Sequence, residues 1–182
     1  MAIIQETGAI IAGAQSYASI ADCDQYHADR TNVAWAAADV PSKEAALRKS
    51  AAYIDGHYRT RWLGSRVSPI SQPLQWPRYG VRLETASPLI GGVYYSGVPI
   101  NNYLLSTTIP QRLKDAQCEA ALIALASALA PILDPSVESE KLDVIETKFK
   151  ANGKKGQIEY QHIDQLLSDY LTPVGCSTVT RG

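Results

Sequence analysis

Arg59, Arg61, Trp62, Arg66, Trp76, Arg78, Tyr79 and Arg82 interleave cations with aromatic rings along one stretch of the chain. Single-strand binders use this pairing: the cation holds phosphate and the ring stacks on a base. An aromatic anchor beside arginine also describes a protein–protein hot spot. A third reading needs no ligand, because Trp62 and Trp76 also suit the interior of a helix bundle. The rest of the chain offers little chemistry. His27, His57 and His162 lie in no metal-binding spacing. Asp22 and Asp24 open a helix, where the helix dipole accounts for them. Gly91-Gly92 lacks the Lys-Ser/Thr of a phosphate loop, and Gly64-Ser65-Arg66 does not complete a nucleophile elbow. No catalytic residue, cofactor site or metal site is expected. The chain reads as a protein that makes contacts rather than bonds, and not as an enzyme.

Composition bounds what surrounds that stretch. The 182 residues are 46% apolar, enough for one core with extensions. Lys and Arg number 17 against 18 acids, for a net charge of -1. Duplex binders usually carry a basic face, so only a local patch supports nucleic-acid binding. Cys23, Cys118 and Cys176 are odd in number and far apart, with no CxxC. Cys118 falls in a helical pattern, so a buried free thiol and a reduced cytosolic setting are expected. Residues 8–14 are small and apolar, but Glu6 precedes them without early Lys or Arg, unlike a secretory signal. The longest apolar run, Ala120 to Leu133, contains Ser127 and Pro131 and is too short for a membrane span.

The elements that would position the arginines and rings are helices. Residues 1–18 read as an extended or loose N-terminal arm. Ser19 followed by Asp22 and Asp24 is a helix start, running to about Arg30 with Ile20, Cys23, Tyr26 and His27 on one side. Trp35 sits in an alanine-rich turn or short helix. Pro41 opens a second helix to about Tyr58, with Ala46, Leu47, Ser50, Ala51, Ile54 and Tyr58 at helical spacing. Prolines and glycines then exclude a long helix over 60–108. Within that region Leu74–Val81 opens a long loop, and residues 83–105 form an apolar insertion suited to packing on a neighbour. Thr108-Ile109-Pro110 begins the central helix, with Pro110 at its first position and its end near Leu129. Leu142, Val144, Ile145, Phe149 and Ile158 suggest a hairpin around Asn152-Gly153, within 138–160. A last helix spans about His162 to Leu171, and 172–182 form a polar tail. The fold class is mainly α: a small helical bundle with a long inserted loop and a minor β-hairpin, spanning 19–171.

Four segments occur together in an order that resembles a known family. They are Ser16 to Tyr26, Lys43 to Asp55, Leu74 to Val81 with its Trp-Pro-Arg-x-Gly, and Ile109 to Ala121. This arrangement is similar to the head-to-tail adaptor (neck connector) proteins of tailed bacteriophages, over residues 16 to about 130. Some relatives there carry the label of DnaT-like single-stranded-DNA-binding protein. The chain departs from the shorter family pattern in 83–105 and is not tightly matched in 138–160.

The resemblance implies a structural adaptor of the virion neck, present in the host cytoplasm during assembly. It implies a homo-oligomeric ring, typically of twelve copies, contacting the portal protein and a tail or stopper protein. Double-stranded DNA would pass through it without sequence-specific binding, and no membrane is involved. Trp76, Pro77 and Arg78 would fix the loop after the second helix, and Ile109 and Pro110 would set the start of the central helix. Interface or loop-anchoring candidates are Trp62, Trp76, Arg78, Tyr79, Ile90, Tyr94, Tyr95, Ile109 and Pro110. The alternative function is a single-stranded-DNA-binding module of DnaT-like type.

Overall fold

The computed structural model describes residues 2–82, 103–129, 141–142, 145–146 and 160–172. Five α-helices lie among them: α1 (Ile20–Ala28), α2 (Val33–Ala37), α3 (Val40–His57), α4 (Gln111–Ala126) and α5 (Gln161–Leu167). A 3-10 turn, Ser168–Tyr170, continues α5. Two antiparallel ladders of two-residue strands complete the order: β1 (Ser65–Arg66) with β2 (Arg78–Tyr79), and β3 (Lys141–Leu142) with β4 (Ile145–Glu146). The protein is a small, mainly helical bundle with a minor antiparallel hairpin. No helix among the described residues is long and apolar enough to cross a membrane.

The helix starts follow local chemistry. The Ser19 side chain accepts from the Asp22 amide, and Asp22 reaches back to the Ser19 amide, closing a capping box. Asp39 caps α3 through the Ser42 amide at 3.1 Å, and Pro41 occupies the first turn, where its missing N–H leaves nothing unsatisfied. Pro110 is the N-cap of α4 rather than its first helical residue, with extended dihedrals (φ -61°, ψ 141°). The helix stops at Ala126, short of Leu129, because Ser127 is already extended.

α4 is the axis of the bundle, packing on α3 along one side and on α5 along another, while α1 crosses α3 and α4. Ala116, Ala120 and Ala121 are buried on it, and their small side chains let the partner helices approach closely. Gln117, fully buried in α4, meets four partners. Its Oε1 accepts from the amides of Tyr17 (2.8 Å) and Ala18 (2.9 Å). Its Nε2 donates to Ser16 Oγ (2.7 Å) and to the Leu47 carbonyl (3.0 Å). One amide therefore joins the N-terminal segment, α3 and α4, at no cost in unpaired polar atoms.

Three expectations need correction here. Residues 2–18 are not a loose arm. Glu6 is fully buried, and its carboxylate accepts from the amides of Gly8 (2.8 Å), Ile10 (3.0 Å) and Ile11 (2.9 Å). Gly8 has φ +103°, and a Cβ there would lie 1.8 Å from the Thr107 carbonyl oxygen, so only glycine fits. Second, Cys23 and Cys118 are not free thiols but form a disulfide, with Cα atoms 5.3 Å apart. A sequence separation of 95 hides the pairing from any spacing rule, and the packing of α1 on α4 creates it. Third, Leu142 pairs with Ile145 and Lys141 with Glu146, in a hairpin within 138–160 that sets Leu142 and Ile145 on opposite strands, while Asn152-Gly153 lies outside the described residues. A helical wheel or strand pattern reports periodicity, not which partner closes first.

Candidate nucleic-acid interface

α3 ends at His57, and the chain then doubles through β1 and β2 to present the arginines and rings. The inward side of this region is a column of aromatic rings. Trp76 is fully buried, edge-on to Trp62 (5.7 Å between ring centres) and to Tyr170 (5.6 Å). Trp62 in turn meets Tyr58 at 5.9 Å. Edge-to-face contacts of this kind add to the burial of each ring. Neither indole N–H has a partner among the described residues. Both tryptophans are closed to a base, since stacking needs an open face.

Arg78 belongs to the same interior. It is 7% exposed. Its Nε donates to the Leu63 carbonyl (2.8 Å) and Nη2 to the Gly64 carbonyl (2.7 Å), while Nη1 reaches the Gln75 carbonyl (3.3 Å). Burial lowers its pKa, opposed by nearby Asp55 and Tyr17. The guanidinium is thus spent on backbone carbonyls of its own loop and has little left for a phosphate. Gln72, also buried, donates to the Leu74 and Pro77 carbonyls at 2.9 Å each, holding the loop around the cis Trp76-Pro77 bond.

A carboxylate anchors this loop to the helices. Asp55 of α3 accepts from the Tyr17 hydroxyl and, through Oδ2, from the Gln75 amide at 3.0 Å. The Tyr17 oxygen itself accepts from the amides of Gln75 (3.0 Å) and Trp76 (3.3 Å). Burial pushes the Asp55 carboxyl up to about 6, against the lowering effect of Tyr17, Gln75 and the arginines 66 and 78. Burial, with Asp55 beside it, also pushes the Tyr17 hydroxyl well above its ordinary value.

The outward side is different. Tyr79 is 54% exposed, next in the chain to buried Arg78. Arg82 is exposed and forms an antiparallel bridge with Tyr103, which is 55% exposed. Leu105 is exposed as well. Arg59 is exposed beyond the end of α3. Arg61 lies 3.8 Å from Asp164, and Arg66 donates to the Gln72 carbonyl, so both are engaged within the fold.

Of the sequence candidates, Trp62, Trp76 and Arg78 come together in the interior, Ile109 is buried against the same core, and Pro110 caps α4. Tyr79 alone of the described candidates faces solvent. Ile90, Tyr94 and Tyr95 lie outside the described residues, as does most of the 83–105 insertion. Sequence reasoning did not single out Tyr103, Tyr17, Asp55 or Gln117. Tyr103 carried a signal only as a ring within the apolar insertion 83–105. The other three act through partners up to 101 residues away, which no local pattern displays. Among the described residues no cluster of three or more His, Cys, Asp or Glu is placed to hold a metal ion.

A family model described as "Putative DnaT-like ssDNA binding protein" matches residues 1–182. No curated protein matches the chain, and no solved structure does. The full-length match overturns the adaptor reading. The segments quoted for that resemblance lie within a match that spans the whole chain, 83–105 and 138–160 included. The twelve-copy ring, the portal and tail or stopper partners, the passing duplex and the virion-neck location rest on the adaptor resemblance alone and lose their support with it. The matching description is of a binding protein, not a catalyst.

Proposed function

The chain belongs to the putative DnaT-like ssDNA-binding family, and from that membership we propose that it binds single-stranded DNA without catalysing a reaction. The observation that carries this reading is the family match over all 182 residues. The surface chemistry supports it: exposed Tyr79 and Tyr103 offer ring faces, and exposed Arg59 and Arg82 offer cations. Rings suit unpaired bases, whereas a duplex keeps its base faces stacked. A net charge of -1 argues for a short footprint with few phosphate contacts. Two arginines at phosphates correspond to a slope of log affinity against log salt of roughly -1.4 for a single strand.

The direct test is a fluorescence-anisotropy titration of a labelled oligothymidine with the full chain, repeated as salt is raised. Saturable binding that weakens with salt, and that a duplex competitor displaces poorly, is expected. Anisotropy that stays flat at low salt up to high protein concentration removes the reading.

A further inference from the structure

We infer that single-stranded DNA seats on the outward face of the paired segments 81–82 and 103–105, with a base on the Tyr103 ring and a phosphate at Arg82. The inference rests on the family reading above and adds a location to it. Its warrant is register. Arg82 and Tyr103 are directly opposed in an antiparallel bridge, and the Leu104 amide donates to the Val81 carbonyl at 2.9 Å. Side chains directly opposite one another in an antiparallel pair share a face, and the next residue on each strand turns to the other. Burial follows that alternation. Val81 is fully buried and Leu104 packs on the core, while Arg82, Tyr103 and Leu105 are exposed.

The pairing therefore sets a guanidinium beside an open ring on one face. Leu105, two residues on, is exposed as well and supplies an apolar side chain beside the ring's segment. Gly80 adds clearance, because a side chain there would meet nothing within 4 Å. Tyr79, three residues before Arg82, is a further exposed ring. A second copy of this chain is the rival occupant, but a cation opposite an exposed tyrosine complements a phosphodiester strand better than an identical cationic face.

The experiment uses the full chain and oligothymidine. Tyr103→Ala should weaken binding about fivefold or more with the salt slope unchanged, since a stacked base is lost and no charge is. Tyr103→Trp should retain affinity, and its new indole should be quenched by DNA against the unchanged signal of the buried tryptophans. Arg82→Ala should weaken binding and make the salt slope shallower by about 0.7. Lys49→Ala, an exposed cation on α3, serves as the control and should leave both unchanged. Circular dichroism verifies that each variant is folded. Binding by the unmodified chain that survives both Tyr103→Ala and Arg82→Ala within twofold overturns the location and leaves the family reading standing. No binding by the unmodified chain overturns both. A change in oligomeric state by light scattering in Tyr103→Ala, with DNA affinity unchanged, assigns the face to a second copy instead and also overturns the location.

Discussion

Two ring-and-guanidinium pairs, whose arginines are neighbours in the chain, have opposite fates in this protein. Trp76 and Arg78 face inward: the ring is fully buried, and the guanidinium is spent on the carbonyls of Leu63, Gly64 and Gln75. Tyr103 and Arg82 face outward, opposed across an isolated bridge, with Tyr103 55% exposed. By residue type the first pair is the better candidate for nucleic acid, since an indole is the larger stacking surface. By placement it is excluded. A ring already edge-on to Trp62 and Tyr170 has no face left for a base, and a cation that satisfies three carbonyls cannot give them up without leaving them unpaired.

The comparison breaks most easily at its inner member. Trp76→Ala should cost roughly 3–5 kcal/mol of stability, as for other large-to-small changes in a packed core. Urea denaturation followed by circular dichroism measures it. Loss of DNA affinity by a Trp76→Ala chain that remains as stable as the original would place the indole at the strand and reverse the assignment of the two pairs.

Next in size is the effect of pH on the anchor of the inner loop. The Asp55 carboxyl stands at about 6 in the folded chain, against about 3.9 when unfolded. The folded state thus holds a proton that the unfolded state releases. Its contribution is fully present below about pH 4, falls as pH rises towards 6, and is gone above that. The difference between the two states corresponds to at most about 3 kcal/mol. Urea midpoints between pH 4 and 7 should show this decline, and Asp55→Asn should flatten it. An equal decline in both chains would mean that another group is responsible.

Arg78→Ala and Arg82→Ala sharpen the contrast directly. The first should cost about 1.5–3 kcal/mol, the range for hydrogen bonds to a charged group, because buried carbonyls lose their donor. The second should change stability by less than about 0.5 kcal/mol, as for an exposed side chain. Thermal melts of the two variants, run together, compare them. Equal destabilisation would show that Arg82 is also structural.

Local signals made the helices legible. Ser19 with Asp22 wrote a capping box, and the spacing of Ala46, Leu47, Ser50, Ala51 and Ile54 marked the inner face of α3. The central helix was readable from its alanines and its Ile109-Pro110 start, to within a few residues at each end. Each of these is a short-range effect, written within one or two turns of chain. The N-terminal segment was not legible, because Glu6 acts through the amides of a loop whose shape depends on Gly8 fitting under Thr107. The Cys23–Cys118 bond was not legible either, since two helices must first cross.

The same division holds for the candidate site. The amino-acid order alone determined that arginines and rings alternate between 59 and 82, in a mainly helical chain with no catalytic or metal-binding motif. It also determined that any cationic surface must be local, because the charges nearly cancel. Which rings face water was decided only by the tertiary structure. Tyr17 and Asp55 hold the loop backbone, Trp76 closes the aromatic column, and the Val81–Leu104 pairing turns Arg82 and Tyr103 outward. Burial is a property of contacts between residues distant in the chain, so a ring's availability to a ligand cannot be written in its neighbours' identities.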